Sequence, residues 1–173
     1  MFFTYLQSTP VGKLLIAGDA SGLRHVSFSK SHSNAPETVP DDDWEANDKP
    51  LMEAVQQLKA YFDGKLRNFD LPLAGQGTDF QQRVWQALCQ VPFGKTASYG
   101  EIANAIGNPA ASRAVGLANG RNPIAIIVPC HRIIGSDGSL VGYAGGLDLK
   151  RYLLELEGAL KPEPPKLVQQ RFF

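Results

Sequence analysis

Ser98-Tyr99-Gly100-Glu101-Ile102-Ala103-Asn104-Ala105-Ile106-Gly107-Asn108-Pro109 is the stretch on which the fold of this chain turns. Ser98 followed three residues later by Glu101 reads as a capping box, in which each residue satisfies a free backbone donor of the other. It opens a short helix through Ile102, Ala105 and Ile106. Gly107 closes that helix, and Asn108 as cap with Pro109 at the first helical position starts another, Pro109–Asn119. Two short helices joined by a glycine-containing turn make a helix-turn-helix.

Just upstream, Thr78 and Gln81 form a second capping box, followed by the apolar stripe Val84, Trp85 and Leu88. Downstream, Ile124–Val128 is an apolar, β-branched run that predicts a buried strand, and 147–157 predicts an amphipathic helix. The first half reads differently. Phe2–Gln7, Lys13–Ala17 and Leu23–Phe28 are strand-like, separated by Pro10-Val11-Gly12 and Asp19-Ala20-Ser21-Gly22. A polar loop over 29–49 leads into a helix burying Leu51, Val55, Leu58 and Phe62 and stopped by Gly64. Residues 69–73 suggest one more strand, and 74–77 are the best linker.

The expected fold class is therefore α+β. A small N-terminal α/β domain with a short antiparallel sheet spans 1–77. A helical, winged helix-turn-helix-like domain spans 78–160, and 161–173 form a loose tail.

Composition narrows the function classes. The chain is 43% hydrophobic and 20% charged over 173 residues, enough for one globular domain or two small ones. No apolar run is long enough for a bilayer, so no membrane partner is expected. With two cysteines, Cys89 and Cys130, and no export signal, a reducing cytosol is expected. Net charge is zero, yet residues 1–78 carry seven basic against ten acidic side chains, and residues 79–151 seven basic against four acidic. The second half is thus the one suited to an anionic partner.

The second helix of the pair is rich in small residues: Ala110, Ala111, Ser112, Ala114, Gly116 and Ala118. Reading base edges needs Arg, Lys, Asn or Gln, and here Arg113 stands alone among them. That composition fits close approach to the minor groove, with helix-start amides on phosphate and Arg113 inserted where a base has left the stack. The plain alternative is two packed core helices with Arg113 as a surface charge.

Pro129-Cys130-His131-Arg132 is the most informative tetrapeptide. Attack on carbon needs a thiolate, cationic neighbours lower a thiol's pKa, and His131 can act as base through a water. Glu157 orients His131 if the last helix packs nearby. Cys89, beside Leu88, reads as an inert core residue. No second Cys/His pair stands at ligand spacing, so neither metal nor cofactor is expected.

Five motifs now stand in order: Ser98-Tyr99-Gly100, Arg113-Ala114-Val115-Gly116, Asn122-Pro123, Pro129-Cys130-His131-Arg132 and Tyr143-Ala144-Gly145-Gly146. They resemble those of O6-alkylguanine-DNA alkyltransferases over about 78–158, and the first half resembles that family's N-terminal domain. The resemblance implies stoichiometric, self-inactivating repair of double-stranded DNA by base flipping, with O4-alkylthymine as a second candidate substrate. It implies Cys130 as alkyl acceptor, His131 as water-mediated base, Glu157 as its orienting carboxylate and Asn122 as a brace. Tyr99 would turn the phosphate and bond the flipped guanine, and Arg113 would replace it in the duplex beside Ala110 and Ser112. Main-chain groups of Cys130, Ile133 and Ala144 would read the base, with Tyr143 as a pocket wall. Ala144 stands where some relatives have serine, a small loss if the contact is its backbone N–H, while Ala125 in place of a proline and Val141 in place of a glycine would reshape the rim. A monomer in solution is expected, with cooperativity on DNA left open. A binding-only relative is opposed by Cys130, a transcription regulator by the alanine-rich helix, and a Cys-His hydrolase by the helix-turn-helix.

Overall fold

The computed structural model describes residues 1–29 and 38–163. The N-terminal half is a four-stranded sheet of order β3-β2-β1-β4, with β1 Phe2–Thr9, β2 Gly12–Asp19, β3 Gly22–Phe28 and β4 Glu45–Ala46. The first three strands pair antiparallel as the turn residues predict, with Gly12 taking the positive φ (87°) that the first hairpin needs. The sheet is mixed because β4 joins β1 in parallel. The 29–49 segment is therefore not loop throughout, although its residues 30–37 lie outside those described. Central β2 is buried on both faces, with Leu14, Leu15, Ile16 and Ala17 all sealed from solvent.

A 3-10 turn at Lys49–Leu51 leads into α1, Met52–Phe62. Its buried stripe is Ala54, Leu58 and Tyr61, with Val55 and Phe62 only half-buried. The expected stripe is thus rotated, and the cause is polar: the Tyr61 hydroxyl meets a carboxylate from the other half of the chain.

Both capping boxes form. Thr78 caps α2, Asp79–Cys89, and Ser98 caps α3, Tyr99–Ala105. The turn after α3 differs from expectation. Asn108 makes no side-chain cap bond, Pro109–Ala111 is a 3-10 turn, and α4 runs Ser112–Gly120. Ala110 consequently lies in the turn and Ser112 at the helix start. The Trp85 indole N–H donates to the Ala118 carbonyl at 2.9 Å, locking α2 to α4.

Two expected strands are absent. Residues 69–73 make one bridge, Leu23 to Leu73, and 124–128 make one, Val26 to Ile124. Both dock on the outer edge of β3, covering backbone groups that would otherwise be open. Ile124–Val128 is buried but turned. Ile127 N–H donates to the Ala125 carbonyl and Val128 N–H to that of Ile124, while Ile126 takes a φ of 73°. A β-branched residue in that region is strained, and the strain sits four residues before Cys130. A parallel pair, β5 Ala97–Ser98 with β6 Ile133–Ile134, ties the segment after Cys130 to the start of α3. Helix α5, Leu147–Leu156, closes the core. The tail expected to be loose lies, from residue 164, outside the described residues. Among the described residues no helix is long and apolar enough to cross a membrane.

Candidate active site

Cys130 begins a 3-10 turn, Cys130–Arg132, and is 6% exposed. Its N–H donates to the Val128 carbonyl at 2.8 Å, and its own carbonyl accepts from Ile133 N–H and the Asn119 amide. Asn122 holds the approach to that turn. Its Oδ1 accepts from Ile124 N–H at 3.0 Å, and its Nδ2 donates to the Val128 carbonyl at 2.8 Å. The Asn-Pro pair therefore makes the brace expected between the second helix and the cysteine.

In front of Cys130 is a cavity of about 230 Å³. Tyr99, Asn122, Tyr143 and Ala144 line it, together with Phe28, Gly116, Asn119 and Ala125. Tyr143 packs edge-on against Phe28. Ile133 is not in this wall. It is fully buried, its N–H is bonded to Cys130 and its carbonyl accepts from the Lys150 ammonium. Val141 is also outside the wall, partly exposed above it. A comparable cleft bounded by Arg67, Phe69, Cys89 and Arg132 has no residue with an orphaned polar atom in its lining, whereas the Cys130 cavity has Asn119 and Tyr143. Volume does not decide between them; chemistry does.

Behind Cys130 the side chains are sealed and paired. Fully buried His131 bonds through Nε2 to Glu157 Oε1 at 2.7 Å. Glu157 follows α5 as its C-cap, so the last helix does pack where the sequence required. Its carboxylate also accepts from Arg132 Nε (2.9 Å), Arg132 Nη2 (3.0 Å) and the Tyr61 hydroxyl (2.7 Å). Burial alone would raise this carboxyl's pKa, but the bonds from His131 and Arg132 and their charge pull it down to about 2. Burial lowers the pKa of His131 despite the opposing pull of Glu157. A neutral imidazole whose Nε2–H donates to a carboxylate leaves Nδ1 as a bare acceptor. Nδ1 is buried and has no partner among the described residues.

One expectation is reversed. Burial pushes the Cys130 thiol up; a hydrogen bond from Asn122 and the charge of Lys150 oppose this without overcoming it. The cations expected to favour a standing thiolate do not win, because Arg132 spends its charge on Glu157 and the sulfur is desolvated. The resting group is a thiol. Cys89 also departs from its reading: it is exposed at the end of α2 and unpaired.

Lys150 was missed in the sequence. It is fully buried, with a pKa pulled down to about 8 by burial, and donates to the carbonyls of Val141 (2.9 Å) and Gly142 (3.1 Å) as well as Ile133. The Val141 carbonyl also accepts from the Tyr99 hydroxyl at 3.0 Å, so these two side chains fix the loop carrying Tyr143 and Ala144. Its position on the buried stripe Leu149, Lys150, Leu153 and Leu154 was the available signal. Tyr61 carried no such mark, and Arg132, marked as a cation beside the thiol, was not foreseen as a partner of Glu157.

Helix α4 joins the cavity to the outer surface. Val115, Ala118 and Asn119 are buried, and Gly116 lines the cavity, where a Cβ would lie 3.8 Å from the Tyr99 ring. Arg113 and Ala110 are exposed and Ser112 is half-buried, and none of the three lines the cavity.

Comparisons with known proteins agree on both halves. Residues 1–74 match the 6-O-methylguanine DNA methyltransferase ribonuclease-like domain, and residues 79–159 match the DNA binding domain of the same description. The chain is 55% identical over 159 residues to a methylated-DNA–protein-cysteine methyltransferase of Methanosarcina acetivorans, covering 92% of this chain and 99% of that one. It is 52% identical over 154 residues to the Mycobacterium tuberculosis protein of that name, covering 89% and 91%. The crystal structure of Mycobacterium tuberculosis OGT in complex with DNA superposes with a TM-score of 0.81 at 50% identity, covering 92% of this chain and 94% of that one.

Proposed function

The chain belongs to the 6-O-methylguanine DNA methyltransferase family, and from that premise we propose that Cys130 takes the alkyl group from O6-alkylguanine in double-stranded DNA. The observation that carries the reading is a buried cysteine lining a cavity, next in the chain to a buried imidazole that is hydrogen-bonded to the Glu157 carboxylate.

Exposed Arg113, with Ala110 and Ser112, faces the duplex and fills the gap left by the extruded nucleotide, offsetting a flipping cost of roughly a few kcal/mol. Tyr99 spans that surface and the cavity. The thiol proton passes to His131 Nδ1 through a water, and Glu157 stabilises the imidazolium. The sulfur pair attacks the alkyl carbon, the carbon–O6 bond breaks, and its electrons return to the purine. The purine takes a proton at N1 and leaves as guanine. Because burial favours the thiol, deprotonation coincides with substrate entry and the sulfur stays protected until then.

The product is a thioether, which offers no good leaving group, so transfer occurs once per molecule. A protein that carries its whole acceptor site in one chain fits a monomer in solution, and a free acceptor thiol fits the reducing cytosol.

The test is direct. Incubation with a duplex carrying one O6-methylguanine leaves the methyl on Cys130 by peptide mass spectrometry, and Cys130→Ser transfers none. A methyl retained on the DNA, or found on Cys89, refutes the reading.

A further inference from the structure

Residues 112–122, which form α4 and its end, hold two arginines and no acidic side chain. Arg113, Leu117 and Arg121 are all exposed and stand four residues apart, so each lies one turn beyond the last along a single face. The helical path continues to Arg121, whose N–H donates to the Leu117 carbonyl at 3.2 Å. Neither arginine enters an ion pair among the described residues, which leaves both charges for a partner from outside.

Leu117 is 68% exposed, more than any other large apolar side chain among the described residues. A single apolar side chain on a surface means little by itself. Its place means more. A guanidinium flanks it one turn away on either side, and its neighbours three residues away, Ala114 and Gly120, are exposed and too small to mask it. The opposite face of the helix is already packed, with Val115, Ala118 and Asn119 buried.

Two free cations select an anionic partner, and the leucine between them fits a partner with an apolar recess between its charges. The minor groove of a duplex is such a recess, with phosphates along both rims and sugars and base edges between them. Side chains one helical turn apart are about 5–6 Å apart, and successive bases on a strand about 3.4 Å. With Arg113 in the gap left by the extruded nucleotide, Leu117 therefore reaches the neighbouring base step.

We infer that Leu117 is a positioning residue for base extrusion, an apolar wedge that enters the minor groove between Arg113 and Arg121 and unstacks the base step beside the lesion. The inference rests on the alkyl-transfer reading above and adds the side chain that opens the duplex. Arg113 fills a gap once it is made; Leu117 lowers the cost of making it, because a nucleotide beside an unstacked step has less stacking to lose. Leucine is among the side chains able to part a base step in this way, the unstacking being offset by the protein surface that the bent duplex then meets.

Leu117→Ala tests this on three substrates: O6-methylguanine in a fully paired duplex, the same lesion inside a short mismatched bubble, and the free O6-methylguanine base. Transfer from the paired duplex is expected to slow roughly ten-fold. The bubble and the free base need little or no unstacking and stay within about two-fold of wild type. Leu117→Met keeps an apolar wedge and restores the duplex rate. A second readout uses 2-aminopurine in an undamaged duplex at saturating protein. It brightens as its step unstacks on binding wild type or Arg113→Ala, which lacks the gap-filler, and stays dark with Leu117→Ala.

Equal slowing on paired duplex and bubble would make Leu117 a general duplex contact and overturns the inference. So does an unchanged rate on every substrate, or 2-aminopurine that is as bright with Leu117→Ala as with wild type. Failure of the alkyl-transfer reading is separately visible, because then wild type would label Cys130 from none of the three substrates.

Discussion

The two sides of the C-terminal half are built on opposite plans. Behind Cys130, Glu157 accepts four hydrogen bonds from three side chains, and every group involved is buried. On α4 Arg113 stands in solvent and Leu117 is 68% exposed, and Ala110 is exposed in the turn before it. The buried side is over-determined, as proton transfer requires, since a loosely held base costs rate. The outer side is left unfinished, which suits a surface whose partner comes from outside the chain. Rigidity is concentrated at the proposed proton path, and exposure at the proposed duplex face.

Removing the centre of the buried side tests that contrast most severely. Glu157→Ala leaves Arg132 and His131 buried without their partner and is expected to cost about 3–5 kcal/mol in denaturant unfolding. A loss under about 1 kcal/mol would mean that the network is not over-determined. Acid probes the same groups. The folded Glu157 pKa lies below its unfolded value of 4.5, at about 2, so its contribution is present above pH 4.5 and lost as pH falls towards 2. Folded His131 also refuses the proton that the unfolded chain takes up below about pH 6.5. Both signs agree: stability declines from about pH 6.5 downward in wild type, and in Glu157→Ala the part of the decline between pH 4.5 and 2 that belongs to the carboxylate disappears.

The same contrast explains what the sequence could and could not disclose. Local patterns were legible: both capping boxes, the apolar stripe of α2 and the three N-terminal strands follow from residue spacing within a few positions. Cys130, His131 and Glu157 could be read as neighbours because Pro-Cys-His-Arg is chemically unusual and the last helix had to bury one face, whereas Asn122 entered only through the family resemblance. The misses arise where tertiary pairing overrides local pattern. Ile124–Val128 has the composition of a strand, but Asn122 and its own turn take up the hydrogen bonds that a ladder would use. Tyr61 lies 96 residues from its carboxylate partner, a pairing no local pattern encodes. The thiol's raised pKa was misjudged because charge can be counted in a sequence and desolvation cannot.

On the outer side the expected effect is smaller and confined to duplex substrate. Arg113→Ala removes an exposed side chain, so stability should change by no more than about 0.5 kcal/mol. Transfer from a duplex should slow roughly ten-fold, the share of the flipping cost that the guanidinium offsets. Free O6-methylguanine base needs no flipping, so the ratio of free-base to duplex rate separates docking from chemistry. An equal fall on both substrates would erase the distinction between the two sides.

The smallest effect joins the two halves of the chain. Tyr61→Phe deletes one donor to Glu157 Oε1 and keeps the ring that packs against Phe62, Phe69 and Phe93. Three hydrogen bonds remain on the carboxylate, so the stability loss should be about 1 kcal/mol. With less hydrogen bonding to satisfy it, Glu157 draws more strongly on the His131 proton and makes the imidazole a stronger base. Arg132 and Lys150 still depress His131 from their own positions, which keeps the change modest. The acidic limb of the transfer rate against pH should therefore move upward by a fraction of a unit. Were the N-terminal half only a scaffold for the rest, the melting point would drop and that limb would stay where it was.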